Sequence, residues 1–193
     1  AWQEFDGRNR QVSARGDDIP AKLTRLMQTP AAPASQRRDA GLLAAAVGDV
    51  PTELDGYPVL VPIRGFGDGK QQYDFQIGQF PVTNAQFKHF MDDGGYDKEK
   101  PWWTQKAIGE IERYWDGWPT APRYWHDDSF NRSTQPVVGV SWYEAMAYCT
   151  WLTGVWRGAN QIGADWVVRL PAEAEWQWVA SGAAGRTYAW GDD

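Results

Sequence analysis

The chain has 193 residues, carries 19 Lys+Arg against 25 Asp+Glu for a formal charge of -6, and contains 13 tryptophans. That length holds one compact domain with an N-terminal extension, and the acidic balance offers no broad cationic face for a phosphate backbone, which excludes nucleic acid as a partner class. A single cysteine excludes an internal disulfide, a zinc ribbon and a CxxC redox motif.

The elements follow in chain order. In residues 1-50, "IPAKLTRLMQTP" and "SQRRDAGLLAAAVGD" set Leu23, Leu26 and Met27, then Ala40, Leu43, Ala44 and Val47, at helical spacing. Ser35 is the expected N-cap of the second helix and Gly48 its stop, while "QTPAAPAS" separates the two. These residues form a helical adaptor segment. From Tyr57 the texture changes, and residues 57-193 make a second unit. "YPVLVPIRGF" is an apolar run whose Pro58 and Pro62 suit an edge strand. "GFGDGK" lacks P-loop spacing and a following Ser or Thr, and reads as a hairpin turn. "QQYDFQIGQFPVTN" then alternates Tyr73, Phe75 and Ile77 on one face.

Thr83 with Gln86 forms the T-x-x-Q capping pattern ahead of a helix bearing Phe87, Phe90 and Met91, which "DDGG" ends. Residues 94-135 are the least periodic part, with one short helix expected in "TQKAIGEIERYW". Beyond it, "QPVVGVSW" predicts a strand feeding a second capping box, Ser141 with Glu144, and a helix that buries Ala145, Met146, Cys149 and Leu152. "DWVVRL" predicts a strand leading into "PAEAEWQWVAS", where Pro171 is expected at the first helical position and Glu173 and Glu175 complement the helix dipole. "RTYAWGDD" predicts a final strand.

In that order, "FQIGQFPVTNAQFKHFMDDGGY", "QPVVGVSWYEAMAYCTWL" and "VVRLPAEAEWQWVASGAAGRTYAWGDD" resemble the N-terminal part of the formylglycine-generating enzyme/sulfatase-modifying factor family. "RRDAGLLAAAVGDVP" also resembles a short segment that precedes this domain in multidomain bacterial members. The resemblance implies an α+β fold, a variant of the C-type lectin fold with little regular secondary structure. It further implies that the family's catalytic cysteine pair, which binds copper, and its structural calcium site follow the W-G-D block. No cofactor is therefore expected within this chain, and calcium is expected in the complete domain.

Cys149 falls within an amphipathic helix and reads as a small core residue with an inert thiol. His89 lies on the polar flank of its helix, and His126, in "YWHDDSFN", reads as part of a solvated Asx-type turn, because a metal site needs three or more converging ligands. Relatives that make the sulfoxide precursor of ergothioneine use iron held by histidines of an additional helical domain, a pattern not found here. The tryptophan-rich excursion supplies the binding candidates: Trp102, Trp103, Trp115, Trp118, Tyr124 and Trp125, rigid aromatic side chains that give contact area at low entropic cost or else serve as core.

The expected role is a non-catalytic domain binding a protein or small-molecule ligand on a lectin-like scaffold, in one form the variable protein of a diversity-generating retroelement. Two alternatives stand beside it: a formylglycine-generating copper oxidase whose cysteines lie beyond residue 193, and a structural or assembly domain. The resemblance places Asp193 midway through the domain, so Trp176, Trp178 and Trp190 are expected to pack on a C-terminal half outside this sequence. No stretch approaches the ~20 apolar residues of a membrane span and the start "AWQEFDGRNRQ" is unlike a secretion signal, so a cytoplasmic protein with no membrane partner is expected.

Overall fold

A computed structural model describes residues 19-46, 56-67, 72-182 and 185-187. Helix α1 spans Ile19–Met27 and α2 spans Ala34–Ala46, parted by a turn whose Pro30 and Pro33 lack the amide donors that a continuous helix requires. The two pack on each other, leaving Ala40 and Ala44 buried and Leu43 exposed. Ser35 lies inside α2, one residue past its start, and so is not its N-cap. Val47 and Gly48 fall outside the described residues. The Thr134 hydroxyl donates to the Gly41 carbonyl at 3.0 Å and ties α2 to the loop before residue 136.

Strands β1, Leu60–Gly67, and β2, Gln72–Gly78, pair antiparallel, with Val61 opposite Ile77, Ile63 opposite Phe75 and Phe66 opposite Tyr73. Ile63 and Phe66 are an odd number of residues apart and would face opposite ways in a regular strand. An irregularity between them absorbs the extra residue, with Gly65 at φ +62°, and returns Phe66 to the face of Ile63. The Phe66 ring then meets Tyr73 at 5.2 Å and Phe75 at 5.6 Å. Among the described residues the sheet has two strands, so Pro62 sits in an edge strand, where a missing donor is tolerated. The turn expected at "GFGDGK" lies mostly outside the described residues.

Four further helices follow among the described residues. Helix α3 spans Asn84–Asp92 behind its Thr83/Gln86 capping box, and α4 spans Gln105–Tyr114 behind Thr104. Helix α5 spans Trp142–Gly158 behind Ser141/Glu144, and α6 spans Glu173–Ser181. The core forms where these faces meet. Phe87 and Phe90 of α3, Ala107 and Ile111 of α4, and Ala147, Tyr148, Trp151, Leu152 and Trp156 of α5 are all buried. Phe87 stacks on Tyr148 with centroids 5.3 Å apart, and Phe90 meets Trp151 at 5.7 Å. Fully burying a side chain of this size is worth about 1.5–3 kcal/mol, so these rings dominate the stability of the domain.

The arrangement is α+β, and further sequence expectations need correction. Cys149 and Leu152 are buried, but Ala145 and Met146 are only half-buried, because the apolar face of α5 runs through Ala147, Tyr148 and Trp151. Residues 137-140, where Gly139 turns the chain at φ +72°, and 165-170 form no strand; the one isolated bridge among the described residues is Thr83 with Pro136. Pro171 lies before the N-cap of α6, which is Ala172. "RTYAWGDD" falls largely outside the described residues. No described helix is long and apolar enough to cross a membrane.

The Ser141 hydroxyl accepts from the Glu144 amide at 3.3 Å while the Ser141 amide donates to Glu144 Oε2 at 2.7 Å. Ser141→Ala keeps the second bond and loses the first. We expect a loss of about 1 kcal/mol, read as a lower urea midpoint at unchanged slope.

Candidate functional site

Cys149 has 6% of its surface exposed, and burial pushes its thiol up to about 11, so it stays protonated at neutral pH and packs as an apolar group. His89, on α3, lies with its ring 6.1 Å from that of Tyr57. His126 is exposed, and its neighbours fold the loop: Asp127 Oδ1 accepts from the Ser129 amide at 2.8 Å and Asp128 Oδ1 from Asn131 Nδ2 at 3.2 Å. Among the described residues, no three His, Cys, Asp or Glu side chains converge as a metal site.

The six aromatic binding candidates do not share one surface. Trp102 and Trp103 both donate their indole N–H to the Gly95 carbonyl, at 2.9 and 2.8 Å, and Trp118 donates to the next carbonyl, that of Tyr96. Trp103 is buried, with the Trp118 ring against it at 5.1 Å, and Trp115 and Trp125 pack half-buried on the same core. Tyr124 is exposed, near Phe130. The excursion thus lays one buried and four half-buried tryptophans on the core, and of these Trp102 lines a groove.

That groove, about 410 Å³, runs between α5 and the segment after α3 and is lined by Asp93, Trp102, Thr150, Trp151, Gly154 and Val155. Asp93 ends α3, where its Oδ2 accepts from the Trp151 indole at 2.9 Å. The ammonium of Lys100 lies 5.7 Å from the centroid of the Trp102 ring, within cation–π range. Sequence reasoning nominated Trp102 but not Asp93, which "DDGG" presents as part of a helix stop. A helix end and a helix middle 58 residues apart meet here, and no local pattern reports that.

Two buried glutamates fix the frame. Glu144, 0% exposed, accepts from the Tyr96 hydroxyl at 2.6 Å and from the Ser141 amide. Burial, then the negative charge of Glu144, pushes the Tyr96 phenol well above its usual range. Glu175, 1% exposed, accepts both Arg169 guanidinium donors at 2.7 and 2.6 Å, the Ala172 amide at 2.7 Å and the Tyr73 hydroxyl at 2.9 Å. The Arg169 hydrogen bonds are the main cause holding its carboxyl at about 2, against the opposing effect of burial. Also on α6, Trp176 is 60% exposed, while Trp178, 38% exposed, lies three residues from Glu175 and touches Phe66 at 5.8 Å; Trp190 lies outside the described residues.

Residues 69–193 match the sulfatase-modifying factor enzyme 1-like domain. Over 133 residues the chain is 32% identical to a hercynine oxygenase of Mycobacterium tuberculosis, covering 62% of this chain and 27% of that protein. It is 31% identical over 147 residues to a formylglycine-generating enzyme of Streptomyces coelicolor, covering 62% of this chain and 40% of the relative. It is also 31% identical over 140 residues to an inactive C-alpha-formylglycine-generating enzyme 2 of Mus musculus, covering 61% and 40%. The chain thus spans about a quarter of the first relative and two fifths of the others.

Proposed function

We propose that this chain, which belongs to the sulfatase-modifying factor enzyme 1-like family, is the scaffold portion of an oxidising enzyme domain on a C-type-lectin-like fold. The observation that carries this reading is the extended similarity to a hercynine oxygenase and a formylglycine-generating enzyme, about three fifths of the chain in each case. The residues described here do not fit a resident copper or iron ion: the one cysteine is a buried, protonated thiol, and no three ligand side chains converge among them. Their part is to build and hold the frame, and the reacting groups belong to further chain packed on α6. Trp176, 60% exposed on α6, is the aromatic surface offered to that chain.

Oxygen consumption by the protein of the complete natural gene, loaded with copper or iron, tests the proposal against a cysteine-bearing peptide and against hercynine with a thiol co-substrate. Metal-dependent uptake with either substrate supports it. Uptake no faster than in protein-free controls for both would overturn it and leave a second reading, a ligand-displaying domain without chemistry. That second reading is favoured by the similarity to a relative named as inactive and by the groove at Trp102. Calcium belongs with either reading, as an ion stabilising the complete domain.

A further inference from the structure

We propose that the groove between Trp102 and Trp151 is a binding site for an alkylammonium group, with Asp93 as the counter-charge and the indoles packing the aliphatic stem. The inference is independent of which reading of the function holds. Asp93 uses one oxygen on the Trp151 indole, and its Oδ1 has no hydrogen bond or ion pair among the described residues. It stands exposed at the C-terminal end of α3, where the carbonyl end of the helix dipole adds to the negative potential that an approaching cation meets. The neighbouring Asp92 is already answered by Lys88 at 2.6 Å, whereas Asp93 has no ion pair among the described residues.

The walls suit an ammonium on a carbon chain better than a polar ligand. Trp102 spends its indole N–H on Gly95 and Thr150 its hydroxyl on the Met146 carbonyl, so what these residues offer the groove is ring and methyl surface. Because the Lys100 ammonium lies within cation–π range of the Trp102 ring, a ligand's charge is placed at Asp93 and only its carbon stem against the ring. Gly154 sits in the interior of α5, where glycine weakens a helix, yet a Cβ there would meet no atom within 4 Å. Neither backbone conformation nor crowding calls for glycine at this position; its effect is to leave the groove floor open.

The test is titration of the chain with n-butylammonium and with Nα-acetyl-lysine methylamide, following the Trp151 indole N–H resonance by NMR, with 1-butanol as the neutral control. A saturable shift with either ammonium and none with butanol is expected. Tighter binding of the lysine derivative would assign the source to a polypeptide side chain, and equal binding to free amines; both support the site. Asp93→Asn keeps an acceptor for the Trp151 indole but removes the charge, and should weaken binding about tenfold. Gly154→Leu has room to fold and should abolish binding while the melting temperature is held or raised. Equal binding of butanol, no saturation with either ammonium, or undiminished affinity in both folded variants would overturn the proposal.

Discussion

Replacing Arg169 by methionine is expected to cost about 3 kcal/mol of folding stability at pH 7, more than replacing its partner Glu175 by glutamine, although Arg169 is the more exposed of the two. The asymmetry follows from where each charge lies. The Arg169 side chain is 45% exposed and can be hydrated when its partner is gone, whereas Glu175 is 1% exposed and would remain a buried carboxylate held by one phenol and one amide. The estimate sits at the low end for broken buried pairs because one side of this pair is wet.

The pH dependence has a definite sign. The Glu175 pKa is lowered from 4.5 to about 2, so its contribution is fully present above the unfolded value and is lost as pH falls through the folded one. In the methionine variant burial is opposed only by the Ala172 and Tyr73 hydrogen bonds, and the folded pKa is depressed less. The stability gap between the two proteins should therefore be widest at neutral pH and narrow between about pH 5 and 2. Urea titrations of both proteins across that range measure it. A gap that stays constant with pH would show that Arg169 acts through packing of its stem and not through the carboxylate.

Local signals in the sequence carried the elements that are locally determined. The alternation of Tyr73, Phe75 and Ile77 gives β2, and the S/T-x-x-E/Q patterns at Thr83 and Ser141 mark the starts of α3 and α5, because a capping box spans only four residues. The failures are equally physical. The apolar runs at 137-140 and 165-170 have strand composition, but a strand needs a partner, and composition does not report one. The family resemblance reached further than periodicity did, placing the chain in the right family, while of the aromatic candidates Trp103 is buried, four are half-buried against the core and Tyr124 is exposed. Neither route could show that the third helical residue in both α5 and α6 is a buried glutamate bonded to a distant tyrosine, 48 and 102 residues away.

The Glu144 contact yields the second large effect. Glu144→Ala is expected to cost about 3–4 kcal/mol, since it leaves the Ser141 amide and the Tyr96 hydroxyl without their acceptor and opens a void at a site with no exposure. Glu144→Gln should cost only about 1 kcal/mol: its carbonyl can accept from the Ser141 amide while its NH₂ donates to the Tyr96 hydroxyl oxygen, which can accept as well as donate. None of the hydrogen-bond partners of Glu144 is a cation, so hydrogen bonding rather than charge pairing holds the contact. The consequence extends to the groove. Gly95 and Tyr96 present the two carbonyls that orient Trp102, Trp103 and Trp118. Releasing the Tyr96 side chain should loosen all three indoles, seen as faster hydrogen exchange of their N–H groups in the alanine variant and near-native exchange in the glutamine variant. If glutamine proves as damaging as alanine, the charge of Glu144 matters in its own right and the hydrogen-bond account of this joint fails.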